Sequence, residues 1–296
     1  MAVTEGPKIV TVIEGRRLKL SSLDKVMYPA TGTTKAEVID YYARIAPVIL
    51  PHLSDRPVTR VRFPHGLAAA GFFEKNVPAG VPDWIRRAGR DPVFPLIDDL
   101  PGLTFFANLN SLELHVPQWR FKGEGRDAVP ANPDRLVIDL DPGPGMGLRE
   151  CATVALIVRK RLSAIGLDPL PVTSGSKGMQ MYAALPGLHT SDEIRDTVQQ
   201  LARELTTAHP QLVVWKMAKE LRPGRIFLDW SQNVAAKTTV CPYSLRGRDE
   251  PTVAAPRSWD EVERGAAGKP FLQLRIEEVL QRVSRDGDLA IGLVSG

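Results

Sequence analysis

From residue 135 onward the hydrophobic positions fall into two alternating periods. RLVIDLDP interleaves apolar residues with aspartates at every second position before Pro142 and Gly143 interrupt it. Side chains of a strand alternate between its faces, so this spacing predicts a strand over Leu136 to Leu140. In GLRECATVALIVRKRLSAIG the apolar positions Cys151, Val154, Val158, Leu162 and Ile165 recur three or four apart, and Gly166 follows. That is one buried helical face with a stop signal. PVT and MQMYAAL then read as short strands joined by SGSKG, and Ser191 to about Ala208 as a second helix. The Thr190/Glu193 pair opens that helix as a capping box, and Ile194, Val198, Leu201 and Leu205 share its inner face. Past LVVW, an optional extra strand, IFLDW closes the series.

The resulting order, βαββαβ, predicts the split unit of ferredoxin-like and RNA-recognition-like folds, in which the first and last strands are neighbours. Upstream, TKAEVIDYYARIA carries a Thr34/Glu37 capping box and an inner face of Val38, Tyr42, Ile45 and Ile49, with Pro47 expected to kink or end the helix. Residues 51 to 121 read as short strands and loops, among them VTRVRF, LTFFAN and LELHVPQWRF. No repeat, low-complexity run or linker divides the chain. The expected fold class is α+β, mixed sheets around the βαββαβ core. One unit is expected over 1–296, with an N-terminal part to about 121, a core over about 122–250 and a tail over about 251–296.

With 296 residues, 43% of them apolar, the chain has ample material for a core, and no run approaches the ~18 apolar residues of a membrane span. MAVTEGPK lacks the basic and apolar pattern of a leader, so a cytoplasmic location is expected. Cys151 and Cys241 have no CxxC context and read as buried thiols. The net charge of +4 is mild, but arginines and lysines cluster at 56, 60 and 62, at 86, 87 and 90, and at 237, 246 and 248. Beside the aromatic FFEK (Phe72 to Lys75), such clusters lean toward a polyanion such as nucleic acid.

Alternation places Asp139 and Asp141 on one face, about 6 to 7 Å apart, with Ile138 and Leu140 on the other. Two carboxylates so placed call for a raised pKa or a divalent cation. Asp229 in IFLDW lies on the strand expected beside them, and three such oxygen donors suit Mg²⁺ or Mn²⁺. In SGSKG the glycines allow close backbone approach, hydroxyls and amides can donate to oxyanions, and Lys177 adds charge. Gln232, Lys237 and Arg246 follow within reach of the same anion. Taken alone, DxDPG is also an Asx-type strand end, and SGSKG is also a plain hairpin turn.

VIDLDPG, TSGSKG and FLDWSQN…KTT…PYSLRGR resemble the three motifs of the archaeo-eukaryotic primase superfamily, in the form found in the polymerase domain of bacterial DNA ligase D. The likeness extends from LDKVMYPATGTTK through FFEK and HVPQWRF to PRSW and RDGDL. It implies a template-directed nucleotidyltransferase of non-homologous end joining, acting on DNA with a 5′-phosphorylated gap or end. It further implies a ribonucleotide preference, use of NTP or dNTP with Mn²⁺ or Mg²⁺, Ku and a DNA ligase as partners, and a place at the nucleoid. On that resemblance Asp139, Asp141 and Asp229 hold two metals. Ser174, Lys177, Lys237 and Arg246 clamp the triphosphate with Gln232 nearby, and His115 lies by the incoming sugar. Ser22, Lys25 and Lys35 take the 5′-phosphate beyond a gap, and Phe72 and Phe73 stack on template bases.

The chain departs from the family pattern in four places. Gln180 stands where a phosphate-binding histidine is usual and can donate a hydrogen bond but no charge. Val61 replaces a common lysine and Ser22 a common asparagine, and the stretch 86–95 is shorter than the end-bridging loop of many relatives. Two other classes fit parts of the pattern. A haloacid-dehalogenase-type phosphotransferase also uses DxD but wants Thr or Val where this chain has Gly143, and a module that binds 5′-phosphorylated ends without catalysis needs no metal site.

Overall fold

A computed structural model describes residues 8–294; the reading of the chain's first seven residues lies outside them. β1 (Lys8–Ile13) and β2 (Arg16–Ser21) pair as an antiparallel hairpin. α1 (Lys35–Leu53) starts at the expected box: Thr34 accepts from the Glu37 amide, and the Glu37 carboxylate takes the Thr34 amide at 2.7 Å. The helix does not end at Pro47 but continues through Pro51 to Leu53. An interior proline costs about 3 kcal/mol. Burial of Tyr41, Tyr42, Ile45, Ile49 and Leu53, none of them exposed, offsets that cost.

β3 (Thr59–Arg62) and β4 (Phe72–Glu74) follow, then α2 (Leu100–Asn108) and β5 (Ser111–Val116). LTFFAN, expected as strand or loop, is the body of α2. Asp99 caps that helix by accepting from the Gly102 amide at 2.8 Å, and Pro101 sits in its first turn. Both start signals lie upstream of the aromatic run, and Leu103, Phe106 and Ala107 face the core at helical spacing.

The second half contains β6 (Arg135–Pro142), α3 (Leu148–Ser163), β7 (Pro169–Thr173), β8 (Met179–Ala184) and α4 (Ser191–Ala208). After these come β9 (Val213–Val214), β10 (Ile226–Asp229), β11 (Thr239–Val240), β12 (Ala255–Pro256), α5 (Trp259–Ala266) and α6 (Ile276–Asp286). One sheet has the order β9-β10-β6-β8-β7-β12, so the first and last strands of the βαββαβ unit are neighbours, as expected, and the LVVW segment adds β9 at the edge. A second sheet has the order β11-β5-β3-β4.

Leu136, Ile138 and Leu140 pack with the inner faces of α3 and α4 on one side of β6, while Val137 belongs to the core shared with α1, α2 and β5 on the other. Ile165 lies beyond the end of α3 and is exposed rather than on its inner face. Asp139 and Asp141 share the side of Val137, which places them in the seam between the two sheets.

The arginines of the first cluster are not a polyanion surface. Arg56 and Arg60 are fully buried. Arg56 reaches both oxygens of Asp134 at 2.7 and 2.6 Å, Arg120 reaches the second at 2.7 Å, and Arg60 and Arg62 share Glu74. Arg56 and Arg120 thereby tie the N-terminal half to the root of β6. Both cysteines are buried, and among the described residues no helix is long and apolar enough to cross a membrane.

Asp134→Ala leaves the buried Arg56 guanidinium without its carboxylate. Urea denaturation is expected to show a loss of about 3 kcal/mol, typical of breaking one partner of a buried pair. An unchanged midpoint would contradict this role for Asp134.

Candidate active site

The three aspartates meet through strand register. Asp139 stands directly opposite Asp229 in the β6–β10 ladder and opposite Gln180 in the β6–β8 ladder. Directly opposed residues on antiparallel strands lie about 4.5 to 5.5 Å apart, where like charges repel. Burial, then the charges of Asp141 and Asp229, push the Asp139 carboxyl well above the usual range, against the pull of Arg246 and a hydrogen bond with Gln180. Asp141 is raised by burial and by Asp229, with Arg222 opposing.

Asp229 is held from behind. One of its oxygens accepts from the Ser231 amide at 3.0 Å and the other from Gln232 Nε2 at 2.7 Å, while Lys237 donates to the Ser231 hydroxyl. Among the described residues no three His, Cys, Asp or Glu side chains close around an ion by themselves. Mg²⁺ needs no such cage: it keeps waters and takes one or two carboxylates together with substrate phosphates. The oxygen-only donors and their mutual repulsion fit a hard divalent ion that arrives with a phosphate.

Beside the aspartates opens a cavity of about 450 Å³. His115, Asp139, Asp141, Ser174, Lys177, Gln180, Gln232 and Arg246 line it, together with Ser176, Thr238 and Arg248, which the sequence reading did not single out as site residues. Of the expected core residues, Asp229 and Lys237 are not in the lining; they brace it through Ser231 and Gln232.

The SGSKG loop differs from the expected amide cradle. The Ser174 amide donates to Gly178 O at 3.0 Å, the Gly175 amide to Gln273 Oε1 at 2.7 Å, and the Ser176 amide to Ser174 Oγ at 3.3 Å. Three of the loop's amides are thus spent inside the protein, which makes the hydroxyls and Lys177 a larger share of what the loop can offer an anion. Its glycines serve packing: a Cβ on Gly178 would lie 2.1 Å from Leu140 O, and one on Gly175 would lie 2.6 Å from Arg246 Cγ. Gln180 is held in place as well, since Tyr182 donates to its Oε1 at 3.0 Å and it also hydrogen-bonds Asp139.

Ser22, Lys25 and Lys35 form a second cluster. The Lys25 amide bonds Ser22 O at 3.1 Å and the Lys35 amide bonds Lys25 O at 2.8 Å, which ties the three into one corner. Ser22 sits at φ +51°, a left-handed conformation that asparagine adopts more readily than serine. Lys35 is almost fully buried and donates to Ser21 O at 2.7 Å, and Lys25 donates to Pro64 O. Burial and then the charge of Lys25 push the Lys35 ammonium down to about 8.

Phe72 and Phe73 are surface residues on β4, 45% and 67% exposed. The Arg62 guanidinium lies 5.6 Å from the Phe72 ring centroid, and Phe73 meets the His115 ring edge-on at 5.7 Å. The exposed aromatic pair therefore adjoins the cavity.

Comparison with known proteins places this geometry in a family. The family model described as LigD, primase-polymerase domain matches residues 34–290. The chain is 48% identical over 278 residues to the multifunctional non-homologous end joining protein LigD of Mycolicibacterium smegmatis, covering 92% of this chain and 35% of that one. It is 32% identical over 273 residues to the bifunctional LigD of Bacillus subtilis, covering 92% of this chain and 43% of that one. The chain spans about a third of the length of the multifunctional relatives it matches. A solved polymerase domain from Mycobacterium tuberculosis ligase D in complex with DNA superposes with a TM-score of 0.90 at 46% identity, covering 94% of this chain and 98% of that one.

The lysine corner predicts a pH dependence. Lys35 is cationic below about 8 and loses its proton as pH rises through that value. A terminal phosphate is largely dianionic above about pH 6. Affinity for a 5′-phosphorylated oligonucleotide, measured by fluorescence anisotropy, is expected to be greatest between these limits and to fall above about pH 8, while the 5′-hydroxyl oligonucleotide shows no such fall. Equal pH profiles for the two would contradict the assignment.

Proposed function

Since the chain belongs to the LigD primase-polymerase domain family, we propose that it is a template-directed nucleotidyltransferase that fills gaps and extends 5′-phosphorylated ends during non-homologous end joining. The observation that carries this reading is the composition of one cavity, which brings Asp139 and Asp141 together with Lys177, Arg246 and Arg248. Such a site holds a polyphosphate between cationic side chains and turns its reacting phosphorus toward the carboxylates.

In this reading Lys177, Arg246 and Arg248, with the hydroxyls of Ser174 and Ser176, hold the triphosphate, and Gln232 and Lys237 keep Asp229 aimed at Asp139. Asp139, Asp141 and Asp229 are the residues that would hold Mn²⁺ or Mg²⁺. When bound, the ions lower the pKa of the primer 3′-hydroxyl and neutralise charge on the leaving pyrophosphate. Phe72 and Phe73 offer template bases sequence-tolerant stacking next to His115, which faces the incoming sugar. Ser22, Lys25 and Lys35 take the 5′-phosphate on the far side of the gap, so that a gap is gripped at both ends. NTP is favoured over dNTP as substrate, Ku and a DNA ligase are the partners, and the enzyme works at the nucleoid.

Gln180 favours one second reading, a module that binds ends with weakened catalysis, because a neutral amide replaces a charge-bearing position. The phosphotransferase reading is set aside by family membership and by the antiparallel neighbours on both sides of β6.

Primer extension on a 5′-phosphorylated gap, with NTP or dNTP and Mn²⁺ or Mg²⁺, separates the two remaining readings. The parent is expected to add a templated nucleotide, and Asp139→Ala to abolish addition while still binding the gap. A parent that binds without extending supports the binding module, and extension at the parent rate by the variant would sink the metal assignment.

A further inference from the structure

Within β5, Leu112, Leu114 and Val116 enter the core, while Glu113 and His115 point together toward the other side. Glu113 is only 6% exposed, and a buried carboxylate is costly unless paired and hydrogen-bonded. It is paired twice. One oxygen lies 2.7 Å from His115 Nε2; the other accepts from the Gly247 amide at 2.8 Å and lies 3.3 Å from Arg246 Nε. Burial alone would raise its pKa, but the hydrogen bond from His115 and the charge of Arg246 bring it down to about 2. Glu113 is therefore an anion at any working pH.

Both partners line the cavity. Arg246 also donates through Nη1 to Ser174 O at 2.6 Å, which leaves Nη2 for an anion and ties the phosphate loop to β5 by way of Glu113. A carboxylate beside Nε2 keeps a proton on that nitrogen, so a neutral His115 ring has only Nδ1 left to offer, as an acceptor. An acceptor at that place suits a neutral donor such as a sugar hydroxyl, not an anionic phosphate oxygen.

We propose that Glu113 is a positioning residue that fixes His115 as its Nε2–H tautomer and holds Arg246 against the phosphate loop, so that one carboxylate sets both the sugar-facing acceptor and a phosphate-facing cation. The alternative is a plain structural staple between β5 and residues 246–247. A staple of that kind has no reason to weaken binding in the cavity alone. The proposal rests on the polymerase reading of the cavity, and its test is chosen so that the two can fail separately.

Glu113→Gln keeps the side chain's size and removes its charge. Imidazole ¹⁵N chemical shifts at about pH 8, above the ordinary histidine range, report the His115 tautomer without any nucleotide. Calorimetry with ATP and Mg²⁺ reports the cavity, and anisotropy with a 5′-phosphorylated oligonucleotide reports the separate lysine corner. The parent is expected to show a single Nε2–H form and the variant a mixture of tautomers. ATP affinity is expected to fall about ten- to a hundredfold, as for loss of charge-assisted hydrogen bonds, with oligonucleotide affinity unchanged. A parent-like tautomer in the variant would overturn the proposal, and so would a parallel loss of both affinities, which is the behaviour of a staple. A parent that binds no ATP would sink the polymerase reading, while the tautomer still decides the role of Glu113.

Discussion

Two carboxylates that face each other across adjacent antiparallel strands repel, and the catalytic half of this protein is arranged around that repulsion. Asp139 and Asp229 are ladder partners, and Asp141 follows on the same face. The opposite face of the strand makes the arrangement tolerable. Leu136, Ile138 and Leu140 bury almost completely against α3 and α4, and anchor β6 whatever its charged face costs. Around the aspartates stand neutral donors and cations: Gln180 on Asp139, Ser231 and Gln232 on Asp229, and Arg246 and Arg222 as compensating charges. Local disfavour of this kind is expected where a site is poised for a ligand that the protein does not itself supply.

The seam position of the site explains why its parts come from the whole chain. One wall is the split βαββαβ sheet, the other is β5 with the exposed Phe72 and Phe73 close by. The segment after residue 250 is built into the first wall. β12 extends that sheet, and Gln273 spans the SGSKG loop by accepting from the Gly175 amide and donating to Gly178 O at 3.1 Å.

α1 and the regular second half are legible because their signals are local. Capping boxes at Thr34 and Thr190, the three- and four-residue spacing of α3 and α4, and the period of two in β6 each state an element without reference to the rest. LTFFAN looks like a strand in the sequence because its helix-start signals lie before the apolar run and its aromatic content resembles a strand. The buried fate of Arg56 and Arg60 depends on Asp134 and Glu74, whose positions only the tertiary fold supplies. At the site, the cavity-lining residues stood in motifs whose residue types announce their chemistry. Glu113 did not, because in LELHV it occupies an ordinary alternating place, and its meaning comes from Arg246, which is 133 positions later in the chain. Gln273 escaped for the same reason.

The claim that electrostatic strain makes this site want a cation is tested most directly by melting the parent and Asp141→Asn at about pH 8, first with EDTA and then with Mn²⁺. Removing one of three crowded charges relieves repulsion. The variant is therefore expected to melt a few degrees higher than the parent without metal, as a gain of about 1 kcal/mol would give. Mn²⁺ is expected to raise the parent's midpoint and to raise the variant's much less. A variant that melts at or below the parent in EDTA, with equal Mn²⁺ shifts in both, would contradict the account.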